Sequence, residues 1–206
     1  MQKSALERLA PLSGLLSVIL MIAAAMVVGL VEYMPPAEKI AGAIAANAGN
    51  VAIGGYLGTL SSFFLIWFAG SLMDELRRHE QGTRLSGLAL AGGVAAGVGL
   101  GIGFLTLQVA GTRAGALGGL DPVGAVTLYD LATNIEGVLL GIGLAVTIAA
   151  TAVVGLRRGA FPAWFCWISV VLTILLLSPF GYMGVFLVPV WLAVTSVWLY
   201  LRGRSG

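Results

Sequence analysis

Six apolar stretches alternate with short polar segments along the chain of 206 residues. They cover about 12–31, 51–70, 86–110, 137–156, 163–178 and 184–201. Most of them reach or approach the ~20 apolar residues that an α-helix needs to cross a bilayer. The last two are separated only by Ser178-Pro179-Phe180-Gly181, where proline and glycine can break a helix. The pattern therefore predicts an all-α, polytopic bundle of six transmembrane helices that ends in a tight hairpin.

The composition supports the bilayer as the solvent of this chain. Hydrophobic residues make up 59% of the sequence and charged residues only 10%, whereas a soluble domain carries about 25% charged residues. A formal net charge of +2 gives no electrostatic reason to bind nucleic acid. We expect residues 1–206 to form one membrane domain whose main partner is the lipid bilayer.

The basic residues predict the orientation of the helices. With six spans and a cytoplasmic N-terminus, nine of the eleven lysines and arginines fall in cytoplasmic segments. These nine are Lys3, Arg8, Arg77, Arg78, Arg84, Arg157, Arg158, Arg202 and Arg204. Such an excess is typical of cytoplasmic loops, and a count of five or seven helices would scramble it. We therefore expect both termini to be cytoplasmic.

Two of the predicted external segments have helical patterns of their own. Residues 35–47 predict a short helix on the outer leaflet, with Ile40 and Ile44 facing the membrane. Asp121 and Pro122 predict an N-cap followed by proline in the first helical position. The helical pattern then continues to residue 156, which is roughly 50 Å of helix. The fourth helix is thus expected to begin outside the membrane or to bend near Gly137.

Small residues recur at four-residue intervals in three of the predicted helices. The glycines concerned are Gly54 and Gly58 in the second helix, Gly93, Gly97 and Gly101 in the third, and Gly137 and Gly141 in the fourth. This spacing places them on one face of each helix, where they allow close approach of a second helix. We expect these faces to pack helices within the chain, with an interface between chains as the alternative use of one of them.

The residues that most catalysis and cofactor chemistry require are scarce. Cys166 is the one cysteine and His79 the one histidine, and the two lysines lie outside the predicted spans. Neither a histidine pair for haem or metal nor a lysine for a membrane Schiff base is present. The sequence therefore predicts no metal, no cofactor and no enzymatic activity.

Acidic residues gather at the predicted outer ends of the first and fourth helices. Glu32 closes the first helix, Asp130 and Asn134 share one face ahead of the fourth span, and Glu136 lies beside them. If these helices are neighbours, the side chains would form an acidic vestibule for a cation or an amine. The alternative is a solvated helix N-terminus, where the helix dipole favours acidic residues.

The stretch 56–71 (YLGTLSSFFLIWFAGS), with the arginine-rich loop and the glycine-rich helix that follow, resembles uncharacterised small multipass membrane proteins of actinobacterial type. The resemblance implies a bacterial cytoplasmic membrane and the helix count. It implies no activity and no role for any residue.

Three functional hypotheses follow, in this order. The first is assembly, as a homo-oligomer or as an accessory subunit of a membrane complex, because this role needs no catalytic motif. The second is a small-solute or ion transporter or channel, with a pore lined by Thr59, Ser61, Ser62 and the glycine faces and an acidic vestibule at its outer end. The third is a lipid-modifying enzyme that acts at the outer surface through Asp130 and Glu136.

Overall fold

The computed structural model describes residues 9–29, 36–80, 84–179 and 181–204, and over these residues every regular element is helical. A 3₁₀ turn at Ala10–Leu12 precedes the first α-helix, and a π-helix at Glu136–Leu140 joins the fifth α-helix to the sixth. The α-helices are α1 (Ser13–Val28), α2 (Ala37–Ala46), α3 (Ala48–His79), α4 (Leu85–Leu117), α5 (Pro122–Ile135), α6 (Gly141–Arg158), α7 (Ala163–Leu177) and α8 (Gly181–Arg204).

Five helical segments are long and apolar enough to cross a membrane. They are Ala10–Val28, Ala48–His79, Leu85–Leu117, Pro122–Arg158 and Gly184–Arg202. The predicted fifth span, α7, is apolar but has only 15 residues, or roughly 22 Å against a hydrocarbon core of about 30 Å. The described part of the chain thus indicates a multipass membrane protein with five helices of full spanning length.

The long helices form a closed ring in space. α1 packs on α3, α3 on α4, α4 on α6, α6 on α7, α7 on α8, and α8 returns to α1. Across the ring, α3 also contacts α6 and α8. Large side chains fill the interior, and among those fully buried are Leu65 and Phe68 of α3 with Leu144 and Ile148 of α6. This order brings the hairpin of α7 and α8 against α6.

Glycines allow α3 and α4 to pack closely, because side chains of one helix lie where a Cβ atom of the other would stand. A Cβ atom at Gly58 would lie 2.0 Å from Cγ of Phe104, and one at Gly97 would lie 2.4 Å from Cγ1 of Ile66. Approaches shorter than 3.0 Å also occur at Gly54, which faces α1, and at Gly93 and Gly101. These five glycines therefore lie in helix–helix contacts within one chain.

Gly137 and Gly141 differ from the expected packing stripe. No atom of the described residues lies within 4 Å of the place where either Cβ would stand. Gly143 makes the close approach to α4 instead, since its Cβ would lie 2.5 Å from the carbonyl oxygen of Gly92. Positions 132, 136, 139 and 143 meet α4 at ordinary helical spacing, so Gly137 and Gly141 lie on a neighbouring face of the helix.

The two external segments are helical, and one of them packs differently from the prediction. The side-chain oxygen Oδ2 of Asp121 accepts a hydrogen bond of 2.8 Å from the backbone N–H of Gly124, which confirms the predicted N-cap. Helix α2 packs against α4 and α5. Ile40 and Ile44 are therefore buried in protein rather than turned toward the membrane.

Charged side chains tie several helices together at one end of the ring, which we call the arginine end. Oε2 of Glu75 accepts a hydrogen bond of 3.1 Å from Arg78, and its Oε1 lies 3.6 Å from Nη1 of Arg202 in α8. The same Arg202 donates to the carbonyl oxygen of Ala160 in the turn between α6 and α7. The opposite end contains the turn between α7 and α8, and we call it the hairpin end.

Candidate functional site

A cleft of about 660 Å³ opens at the hairpin end, between the α5–α6 segment and the hairpin of α7 and α8. This volume falls within the ~300–1,000 Å³ of typical small-molecule sites. Its polar lining residues are Thr133, Asn134, Glu136 and Ser178. Its apolar lining residues include Leu140, Ile142, Leu176, Val185 and Phe186.

Polarity changes along the length of the cleft. On the α5–α6 wall, the polar positions 133, 134 and 136 come first, and the apolar residues 138–142 follow toward the arginine end. On the opposite wall, Ser178 lies in the hairpin turn, while Leu176 and Val185 lie further along α7 and α8. The cleft therefore has a polar mouth at the hairpin end and apolar walls below it.

Glu136 supplies the one acidic side chain among the described lining residues. It is the first residue of the π-helix and packs on Gly103 of α4. A Cβ atom at Gly103 would lie 2.8 Å from Cβ and 3.4 Å from Oε2 of Glu136. The missing side chain at Gly103 thus makes the room in which Glu136 lies.

The carboxylate of Glu136 forms neither a hydrogen bond nor an ion pair with the described part of the chain. At the arginine end, by contrast, the carboxylate of Glu75 pairs with Arg78 and Arg202. A carboxylate that is half-buried beside apolar walls loses hydration without gaining a partner, which is costly. Such a group is more often retained for binding than for stability.

The π-helix at Glu136–Leu140 is the second unusual feature of this wall. A π turn interrupts the regular pattern of hydrogen bonds and is rare, and short π segments are frequent at functional sites. Here Glu136, the first residue of the π-helix, faces α4 and the cleft, and Gly137 and Gly141 lie in the lining. Their missing side chains keep this wall of the cleft open.

The distance of Glu136 from the arginine end matches the thickness of a bilayer. From Glu136 to Arg158 the helix is continuous and rises roughly 33 Å at 1.5 Å per residue. The hydrocarbon core of a bilayer is about 30 Å thick. If the arginines lie at one membrane surface, Glu136 and the mouth of the cleft lie close to the other.

The predicted acidic residues do not all meet in this cleft. Glu136 and Asn134 line it, and Nδ2 of Asn134 donates a hydrogen bond of 2.7 Å to the backbone oxygen of Asp130. The side chain of Asp130 is exposed and is not part of the lining. Glu32 lies outside the described residues.

The hydroxyl groups predicted to line a pore lie in helix contacts. Oγ of Ser61 donates to the backbone oxygen of Ser17 in α1 at 2.8 Å, and Oγ of Ser17 donates in return to Ser61 at 2.9 Å. Oγ of Ser62 donates to the backbone of Thr59, and Oγ1 of Thr59 donates to the backbone of Gly55. These groups satisfy their hydrogen bonds within the protein, so they give the channel hypothesis no polar path.

Sequence reasoning missed the hairpin wall of the cleft. Ser178, Val185 and Phe186 carried no signal of a site, because only the packing of α7 and α8 against α6 brings them near Glu136. Gly137 and Gly141 are evident in the sequence, but their four-residue spacing is also typical of a helix-packing stripe, so it does not indicate a cleft.

The arrangement favours a positively charged ligand. Its lining contains one carboxylate, one carboxamide and two hydroxyl groups, and no described lining residue is Lys, Arg or His. A carboxylate attracts a cation more strongly beside apolar walls than in water. No group of three potential metal-ligating side chains occurs within the described ranges, so the arrangement suits an organic cation better than a coordinated metal ion.

Comparison of the chain with protein-family profiles, with curated proteins and with solved structures found no match. The resemblance to actinobacterial multipass proteins therefore stays a prediction, and the cleft is interpreted from its own geometry.

Proposed function

We propose that this chain is a six-span protein of the bacterial cytoplasmic membrane that binds an organic cation in the cleft beside Glu136. The observation that carries the proposal is the position of the Glu136 carboxylate. It lies in a cleft of ligand size, without a partner among the described residues. Binding of a cation would compensate for the hydration that this carboxylate has lost.

The orientation follows from the basic residues. Arg78, Arg158 and Arg202 lie at the arginine end, and the positive-inside rule assigns that end to the cytoplasm. The mouth of the cleft then faces the outer surface. Binding from outside is therefore part of the proposal.

α7 serves as the sixth span in this proposal. Ile168, Val171 and Ile174 project apolar side chains from its outward face and are all more than half exposed, as expected of a helix in contact with lipid. Because α7 is short, its end at the hairpin lies below the tops of α4 and α5. A short span is accommodated by local thinning of the bilayer, and this places lipid next to the cleft.

The assembly hypothesis loses its specific support in this arrangement. Gly54, Gly58, Gly93, Gly97 and Gly101 are occupied by contacts within the chain. The remaining two glycines of the predicted stripes line the cleft. None of the predicted glycine faces therefore singles out a second chain as its partner.

Thermal unfolding of the purified protein in maltoside micelles tests the proposal. Ligand that binds only the folded state raises the midpoint in a saturable way. We expect octylammonium to stabilise the native sequence and to bind Glu136→Gln at least ~10-fold more weakly, which corresponds to about 1.4 kcal/mol. Asp130→Asn is the matched control, since it removes the same charge from an exposed position on the same continuous helix.

We expect Asp130→Asn to keep the affinity of the native sequence. Equal loss in the two variants would mean that net charge, rather than the cleft, attracts the cation. Octylammonium binding that Glu136→Gln weakens by clearly less than ~10-fold would also contradict the proposal.

A further inference from the structure

We infer that the ligand is an amphiphilic amine, an alkyl chain that carries an ammonium head, and that it enters the cleft sideways from the bilayer. This inference rests on the proposed cation site at Glu136 and adds the class of ligand and its route. Three features of the cleft carry it: the polar mouth, the apolar walls and the outward-facing rim.

The polar mouth matches an ammonium head. Glu136 offers a carboxylate, and Asn134 and Ser178 offer further oxygen acceptors nearby. An ammonium group has three donors and no acceptor, so it can use several such oxygens at once. A phosphate or carboxylate head would meet the carboxylate of Glu136 without a described cationic lining residue to compensate.

The apolar walls continue from the mouth in the direction of the arginine end. Ile142 lies roughly 9 Å along the helix from Glu136 at 1.5 Å per residue. Val185 and Phe186 face it from α8. A ligand that is cationic over its whole length would leave these walls unused, whereas an alkyl chain would bury them.

The rim of the cleft faces outward from the bundle. Val138, Ile142 and Phe186 line the cleft, yet they are 56%, 53% and 77% exposed. These large apolar side chains lie at the depth of the bilayer when the arginine end is at one membrane surface. Exposed apolar residues at this depth contact lipid, so the side opening of the cleft leads into the bilayer.

Gly141 makes room for the chain. A Cβ atom there would meet no described atom within 4 Å, and Gly141 lies beyond Glu136 in the direction of the apolar wall. A large side chain at this position would fill the space that the alkyl chain occupies and would leave the ammonium site at Glu136 intact. Gly141 thus separates the inference from the proposed function on which it rests.

The decisive experiment measures binding of four probes in maltoside micelles: octylammonium, ethylammonium, octanol and octanoate. We expect octylammonium to bind at least ~10-fold more tightly than ethylammonium, since each buried methylene adds to affinity. Octanol and octanoate, which have the chain without the positive head, are expected to show no saturable binding.

Gly141→Leu tests where the alkyl chain of the ligand lies. We expect it to weaken octylammonium at least ~10-fold, and to leave ethylammonium within about two-fold, because the head site at Glu136 is unchanged. Gly87→Leu is the matched control, since a side chain at Gly87 also meets no described atom within 4 Å but lies near the start of α4 at the arginine end. If Gly141→Leu does not fold, Gly137→Leu makes the same comparison.

The outcomes separate the two claims. If ethylammonium binds as tightly as octylammonium, or if Gly141→Leu weakens both equally, the amphiphile inference is wrong while cation binding at Glu136 stands. If no ammonium probe binds in a manner that depends on Glu136, the proposed function itself is wrong.

An ammonium head on an alkyl chain occurs in free alkylamines and in lipids with an ethanolamine head. Lysophosphatidylethanolamine distinguishes these sources. Binding at least as tight as that of octylammonium would assign the site to a lipid, and weaker binding would assign it to a free amine. In both cases we expect Glu136→Gln to weaken the tighter binding at least ~10-fold, and binding that this substitution leaves unchanged would overturn the inference.

Discussion

Gly103 determines whether Glu136 can lie where it does, and Gly103→Ala tests this directly. The added Cβ would lie 2.8 Å from Cβ of Glu136 and 2.9 Å from the carbonyl oxygen of Ala132. Both are shorter than any ordinary contact, so α4 and the α5–α6 segment must separate or Glu136 must move. Overpacking of this kind costs about 1–3 kcal/mol.

Helix propensity acts in the opposite direction. Alanine in a helix interior is favoured over glycine by about 1 kcal/mol. We therefore expect a net loss of up to roughly 2 kcal/mol in the free energy of unfolding for Gly103→Ala. Gly137→Ala supplies the contrast, because its Cβ meets no described atom within 4 Å and propensity alone should stabilise it by about 0.5–1 kcal/mol.

The measurement is the free energy of unfolding of both variants in mixed micelles, together with octylammonium binding. We expect opposite signs for the two stabilities, and weaker binding for Gly103→Ala because Glu136 is displaced. Stabilisation by Gly103→Ala would refute the close approach of α4 to Glu136. Destabilisation by Gly137→Ala would refute the open wall of the cleft.

Two further predictions concern the ring itself. Gly58→Ala is expected to lower the free energy of unfolding by about 3 kcal/mol or more, since its Cβ would overlap an aromatic ring of α4; a loss below 1 kcal/mol in the same micelle assay would contradict the tight α3–α4 contact. Ser17→Ala and Ser61→Ala each remove one of two buried hydrogen bonds between α1 and α3, and each should lower the free energy of unfolding by roughly 0.6–1.7 kcal/mol. No loss of stability in either variant would mean that α1 and α3 do not share this contact.

Features that depend on nearby residues in the chain could be predicted from the sequence without the tertiary structure. The N-cap at Asp121 depends on residues close by in the chain, so its prediction needed no knowledge of neighbours in space. The long apolar stretches likewise predicted helices of spanning length, because the thickness of the bilayer sets the number of apolar residues. The helix at Ala37–Ala46 also lies in the segment where the sequence predicts one.

The sequence did not predict which face of each helix packs against another helix. In a soluble helix the buried side is apolar and the exposed side is polar. In a membrane both sides are apolar, so the pattern of residues does not tell a lipid-facing side from a protein-facing one. Ile40 and Ile44 illustrate the limit, since they were expected to meet the membrane and are buried against other helices.

The sequence by itself determined three things. The chain forms long apolar helices, one helix has its N-cap at Asp121, and Glu136 is an acidic residue at the edge of an apolar stretch. Only the tertiary structure decided that Gly137 and Gly141 line a cleft instead of packing a helix, and that α7 and α8 form its other wall. The physical reason is that helix formation depends on residues within a few positions of one another. A cleft depends on which helices meet and on which of their faces meet, and these contacts join residues that are far apart in the chain.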